Sequence, residues 1–341
     1  MANFGLFGFF NNYNRPGPGV RKDEPKKPPY IRYFQVMGRK YGKLMQLNLL
    51  FLIPVIAVII LMGFLFFAAP VHYYLAISIQ ELEIQIDLWN CYVVPIPLIF
   101  LSPFVAGITY VTRNFAREEH AFVLSDFKDA VKNNWKQFLF NGIFLYFAYI
   151  LLSFAMIYYY NQSLFSWFFI VPMAICLLLT VVLVFCQFYV PLMIVTFDLK
   201  LRQIYRNALI FSIAGLFRNI LLVAIFVAML ILMYQAIATL LTLMLLLLFI
   251  VLFMFSFISY TTNFVVYSLV ERLLIEPYYK KQEEEANQKA GIQSTEQREN
   301  EESASAGELD EEDKPEYVYV NGRLRKRSEL EDDQVFEDKH Y

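Results

Sequence analysis

Residues 137–197 read QFLFNGIFLYFAYILLSFAMIYYYNQSLFSWFFIVPMAICLLLTVVLVFCQFYVPLMIVTF, 61 residues without an Asp, Glu, Lys or Arg. A single helix of that length would reach about 90 Å, roughly three bilayer cores, so the segment must cross and return. Asn161-Gln162-Ser163 is the polar break that places the turn. The 52-residue charge-free interval Asn219–Val270 must turn in the same way, near Tyr234-Gln235-Ala236. Leu44–Gln80, whose apolar part ends near Ala69, and Leu88–Thr112 supply one span each. Six spans result, from a chain that is 58% hydrophobic. Water-soluble domains hold about 45–50% apolar residues.

Charge outside the spans falls on one side. With the N-terminus in the cytoplasm, nine Lys/Arg precede span one and five lie between spans two and three. Four lie between spans four and five, and eleven follow span six, which accounts for all 29. The outer connections keep only the acids Glu81, Glu83 and Asp87. By the positive-inside rule both termini are expected in the cytoplasm.

The net charge of −2 hides a division into three segments. Residues 1–43, a Pro/Gly-rich basic N-terminal segment, hold nine Lys/Arg against two acids, +7. Residues 44–278 form the six-helix domain. Residues 279–341 form an acidic tail, in which positions 283–341 hold eight basic and nineteen acidic residues, −11. Low hydrophobicity from Gln282 to Lys314 predicts disorder. Within the tail, Asn321-Gly322 between Tyr317–Val320 and Arg323-Leu324-Arg325 is a hairpin signal at 316–327. A lone hairpin is marginal in water, so it should form only against a partner or the protein's own inner face. A solubilising charged tail is the alternative reading. The first fourteen residues carry no basic n-region, and the apolar run Phe4–Phe10 is too short for a signal peptide.

Each odd-numbered span is preceded by a stretch mixing basic and apolar residues at helical spacing: YIRYFQVMGRKYGKLMQLN, AFVLSDFKDAVKNNWKQFLFN and LKLRQIYRNALIFSIAGLFRN. Each suits an amphipathic helix at the cytoplasmic surface. Asn48, Asn141 and Asn219 stand at the bases of these spans, and Pro103 and Pro191 lie ten and eleven residues before Arg113 and Arg202. The expected fold is therefore an all-α membrane protein of three sequential hairpins, each a foot, a span, a short outer turn and a span.

NYNRPGPGVRKDEPKKPPYIRYF (12–34), KLMQLNLLF (43–51) and TRNFAREEHAFVLSDFKDAVKNNWKQF (112–138) resemble the YesL-like family of bacterial integral membrane proteins, over roughly residues 11–275. REEHAF, SDF and NWKQ are the most specific parts. The family has no established activity and is often encoded beside ATP-driven sugar uptake systems. The resemblance therefore implies a Gram-positive cytoplasmic membrane, a carbohydrate-linked context and subunits of such a transporter as partners. It implies no reaction.

The densest polar cluster is the first inner loop, where Arg117, Glu118, Glu119, His120, Asp126, Trp135 and Lys136 are candidates for docking a cytosolic partner. The competing reading is structural: ion pairs, Ser125 or Asp126 capping the following helix, and Trp135 in an interfacial belt. Consecutive helical residues point about 100° apart, so Glu118, Glu119 and His120 would not converge on a metal. No cofactor is expected: phosphate loop, nucleophile elbow and dinucleotide fingerprint are all missing. Cys91, Cys176 and Cys186 fit apolar packing positions. The proline-rich basic head does not suggest nucleic acid. No acid or histidine lies inside a span, which argues against a proton-driven carrier. SFISYTTNF in span six either lines a small cavity or supplies interhelical hydrogen bonds. The function expected first is a non-enzymatic accessory or scaffolding component linked to carbohydrate uptake or sensing. A transporter or permease component stands second and a membrane enzyme third.

Overall fold

The computed structural model describes residues 28–69, 73–79, 82–277, 280, 317–320 and 323–326. The N-terminal tether before Pro28, most of the acidic tail and the Asn321-Gly322 turn lie outside them. Among the described residues, six helical segments are long and apolar enough to cross a membrane: Tyr41–Phe67, Trp89–Ala116, Val123–Ser163, Trp167–Thr196, Leu216–Ala238 and Leu240–Ile275.

Helix α1 (Pro29–Arg39) starts on a proline, whose fixed φ suits a first helical turn, and is separated from α2 (Tyr41–Phe67) by Lys40 alone. A π turn at Trp89–Val93 and a further turn containing Pro95 and Pro97 lead into α3 (Leu98–Ala116). Helix α4 (Val123–Ser163) has 41 residues, about 60 Å, twice the bilayer core. The stretch read as a separate foot before span three is thus its first turns, with no break. A 3-10 turn (Trp167–Phe169) begins α5 (Ile170–Thr196), which is followed by α6 (Leu201–Ala214) and α7 (Leu216–Gln235). The break near Tyr234 is a 3-10 turn at Ala236–Ala238, and Thr239 then caps α8 (Leu240–Phe249) by accepting from the Thr242 N–H. A π turn at Ile250–Met254 joins α8 to α9 (Phe255–Val270), and another, Glu271–Ile275, follows α9.

The first outer connection is more than a short turn. Strands β1 (Tyr74–Ile79) and β2 (Leu82–Asp87) pair antiparallel, with Leu75 opposite Ile86 and Ile77 opposite Ile84. Cross-strand partners share a face, so four aliphatic residues stand on one side and Ala76 and Gln85 on the other. Asn161, at the end of α4, donates to the Ala76 carbonyl. In the tail, β3 (Tyr317–Val320) pairs antiparallel with β4 (Arg323–Lys326), and β4 runs close to α5.

Burial in the spans lies almost wholly in the half nearest the basic segments. Buried positions run from Leu44 to Val58 in α2, Ala106 to Ala116 in α3, Phe127 to Asn141 in α4, Cys186 to Thr196 in α5, and Ser256 to Val270 in α9. In α7 they are Asn219 and Leu222, close to its start. The opposite halves expose Phe64, Leu151, Leu178, Leu232 and Leu245. Lipid chains solvate such side chains as well as protein does, so nothing pulls those halves together. At the basic end, hydrogen bonds and close approach through small residues hold the helices. Gly107 faces the Phe127 ring, and Gly142 lies where a Cβ would meet Ser102 Cβ at 2.7 Å.

Candidate functional site

At the basic end, the loop after α3 is closed by its own charges. Glu118 has a φ of 61°, the left-handed region a non-glycine residue rarely occupies. That turn sends its carboxylate toward α1, where it accepts from Arg39 at 2.9 Å and faces Arg32 Nε at 3.6 Å. Glu118 to His120 are therefore loop residues, and the assumption of helical neighbours does not hold for them. Arg117 caps the end of α3, pairs with Glu119 at 2.7 Å and places its guanidinium 5.6 Å from the Tyr267 ring centroid. Lys43 donates to the Ala121 carbonyl, tying α2 to the same loop.

Asp126 does act at the start of α4, as one of the structural readings held. It sits inside the first turn and accepts from the Phe122 N–H at 2.9 Å, so its role is to close the turn from within rather than to stand before it. Ser125 Oγ turns to Asp129 at 3.4 Å. His120, Trp135 and Lys136 are exposed, and the Lys136 ammonium lies 5.6 Å from the Trp135 ring. Of the seven candidates, Arg117, Glu118 and Asp126 are thus engaged within the fold. Glu119, which pairs with Arg117, is exposed, as are His120, Trp135 and Lys136, and so are Phe122 and Leu124. Among the described residues no group of three or more His, Cys, Asp or Glu could hold a metal ion.

Beneath this surface lies a buried polar layer. Arg113, read from the sequence as a loop charge, belongs to α3 and is 1% exposed. It donates to the Val195 carbonyl at 2.9 Å and to Asn114 Oδ1, with its guanidinium 4.4 Å from the Tyr110 ring. Tyr33 on α1 bonds Thr261 at 2.8 Å, and Tyr260 donates to the Tyr33 carbonyl. Burial pushes the Tyr33 phenol up, and its Thr261 bond opposes this. Arg218 donates to Ser268 at 3.1 Å, joining α7 to α9.

The three asparagines aligned in the sequence are all buried and join different helices. Asn48 donates to the Ile250 and Val251 carbonyls, which begin the π turn, and accepts from the Ser256 N–H at 3.1 Å. A π turn leaves backbone groups out of the α ladder, and this side chain satisfies them. Asn141 accepts from Tyr205 and donates to Gln187 at 3.4 Å. Asn219 accepts from Tyr189 at 2.9 Å and donates to the Ser212 carbonyl. The alignment was legible; the partners were not, because they come from helices far along the chain. The polar run of span six takes both of its readings. Asn263 donates to Thr112 at 2.6 Å and Ser259 bonds Thr112 at 2.8 Å, while Ser259, Thr262 and Asn263 also line a cavity of about 330 Å³.

Comparison of the chain with protein families, with curated proteins and with solved structures gave no match.

Proposed function

We propose that this chain is a non-enzymatic accessory or scaffolding component of a bacterial cytoplasmic membrane, with its basic end and both termini in the cytoplasm. The observation that carries the reading is the seal at that end. Arg113, Tyr189, Tyr260 and Phe115 are fully buried where the spans meet, and side-chain hydrogen bonds cross between α1, α2, α3, α5, α7 and α9. A carrier needs a path that opens to each side, and this packing closes one side. A rigid base presenting exposed charges and aromatics suits docking instead. The amphipathic α1 and α6 lie along that base as surface feet, with Val36 the buried anchor of α1.

The partner class comes from the resemblance of residues 112–138: subunits of an ATP-driven sugar transporter. The docking face comprises Glu119, His120, Phe122, Trp135 and Lys136; Glu118 and Asp126 support it from within. Affinity capture with chemical crosslinking from native membranes tests this. Transporter subunits should be recovered, crosslinked through Lys128, Lys132 or Lys136. Alanine at Trp135 and Lys136 together should abolish recovery without reducing membrane insertion. A chain that is captured alone, with crosslinker present, would remove the proposal.

A further inference from the structure

The geometry points to a binding site for the hydrocarbon chain of a membrane lipid in the cavity between α2, α3, α5, α7 and α9. This inference goes beyond the accessory role and does not rest on it. The cavity holds about 330 Å³ and is walled by Phe51, Val105, Ile108, Phe188, Phe226 and Phe255. Ligand pockets start at about 300 Å³. Phe51 is seven residues beyond Leu44, where the charge-free stretch begins, about 10 Å along the axis of α2 and so inside a bilayer core of about 30 Å.

What fills such a space follows from its chemistry. No Asp, Glu, Lys, Arg or His lines it. Five polar side chains line it, Thr109 among them, and the other four are engaged within the protein: Gln187 donates to Tyr205, Ser259 bonds Thr112, Thr262 donates to the Ile258 carbonyl, and Asn263 donates to Thr112. At about 30 Å³ each, some ten waters would fit by volume, and each needs two to four polar partners that these walls do not offer. A charged or polyhydroxylated solute meets the same shortage. Apolar cavities stay dry and take apolar guests.

Access comes from the side rather than from the basic end. On that side the floor is the buried layer of Thr112, Arg113 and Val195. Phe188, Pro191, Phe226 and Ile258 are only half-buried, so the space communicates with the surface, and next to it α7 exposes Leu221, Val227 and Leu230. The surrounding medium at that depth is hydrocarbon, and a lipid chain reaches in without leaving the bilayer. Pro191 adds room, since it removes one rung of the α5 ladder beside the cavity.

The test places a fluorophore on the wall. Phe51 is 5% exposed and so shielded from bulk lipid, whereas Phe64 on the same helix is 71% exposed. With Trp89, Trp135 and Trp167 changed to Phe, the full chain carrying Phe51→Trp is reconstituted into phosphatidylglycerol vesicles brominated at mid-chain. Quenching should be within about twofold of that for Phe64→Trp, and aqueous acrylamide should leave Phe51→Trp emission unchanged. Quenching by acrylamide would mean a water-filled solute pocket, and quenching by neither agent an empty one; both overturn the inference. Should Phe51→Trp fail to give a monodisperse protein, native mass spectrometry of the unaltered chain decides. A discrete lipid adduct that survives detergent exchange and is lost on Ile108→Trp supports the site, and adducts equal in both chains overturn it.

Discussion

Glu118 sets two opposing effects against each other at one position. A left-handed conformation costs a non-glycine residue about 1–2 kcal/mol, whereas a solvent-exposed ion pair returns about 0.2–1 kcal/mol. Glu118→Gly, which relieves the backbone and loses the pairs with Arg39 and Arg32, should leave the melting temperature in detergent equal or higher. Glu118→Ala keeps the strain and loses the pairs, and should lower stability by up to about 1 kcal/mol. A Glu118→Gly chain less stable than wild type would mean that the ion pairs dominate. Asn48→Leu is the larger lesion, because it strands the Ile250 and Val251 carbonyls and the Ser256 N–H inside the bundle. Unmade bonds to buried groups cost about 1–3 kcal/mol each in water-soluble proteins and less between membrane helices, so about 2 kcal/mol in total is expected. An unchanged unfolding midpoint would show that water or the backbone satisfies the π turn without Asn48.

Lys40 carries the pH dependence at this scale. Burial, followed by the positive charges of Lys43 and Arg39, holds its ammonium below the usual 10.5, with Glu118 opposing. A lysine with a depressed folded pKa weighs against folding while it is protonated. That loss disappears as pH rises from the folded value to the unfolded one. The wild-type chain should therefore gain stability relative to Lys40→Gln as pH climbs from neutrality toward 10.5, read as the difference between their melting temperatures. A difference that is flat with pH, or moves against the wild type, would contradict this.

At the scale of elements, the close contact of α3 with α4 depends on residues without side chains. A Cβ at Gly107 would come within 2.4 Å of the Phe127 ring, and one at Gly142 would reach Ser102 Cβ and the Ile99 carbonyl. Overpacking of this kind costs about 1–3 kcal/mol. Gly142→Val should loosen the α3–α4 pair and raise proteolysis in the Arg117–Phe122 loop, and no change would mean that the helices slide apart freely. The spans were legible because charge is excluded from a bilayer over lengths that helix geometry fixes. The β1–β2 hairpin is hidden because its acids, Glu83 and Asp87, read as loop charges and each strand is only six residues long. The continuity of α4 through Trp135 was equally hidden, since an amphipathic start and an apolar span read as two elements when hydropathy alone divides them.

The whole molecule is held at one end. Its spans share a buried polar layer near the Lys- and Arg-bearing segments and present apolar surface over the opposite half. The sequence made the sidedness readable through its basic residues. It hid the depth at which Arg113 lies, because a charge at a span's end looks the same whether it faces solvent or is buried against Val195 and Tyr110. The engagement of Glu118 was not readable either, because it depends on a turn geometry that brings the carboxylate to α1. The central functional claim is that this sealed base supports other proteins rather than opening a route for solutes. The most direct test is radiolabelled sugar uptake into liposomes containing the purified full-length chain alone, with monosaccharides, disaccharides and oligosaccharides supplied outside. Uptake equal to that of protein-free liposomes for every sugar is the expected result. Saturable uptake of any one of them would contradict the account and identify the chain as a carrier.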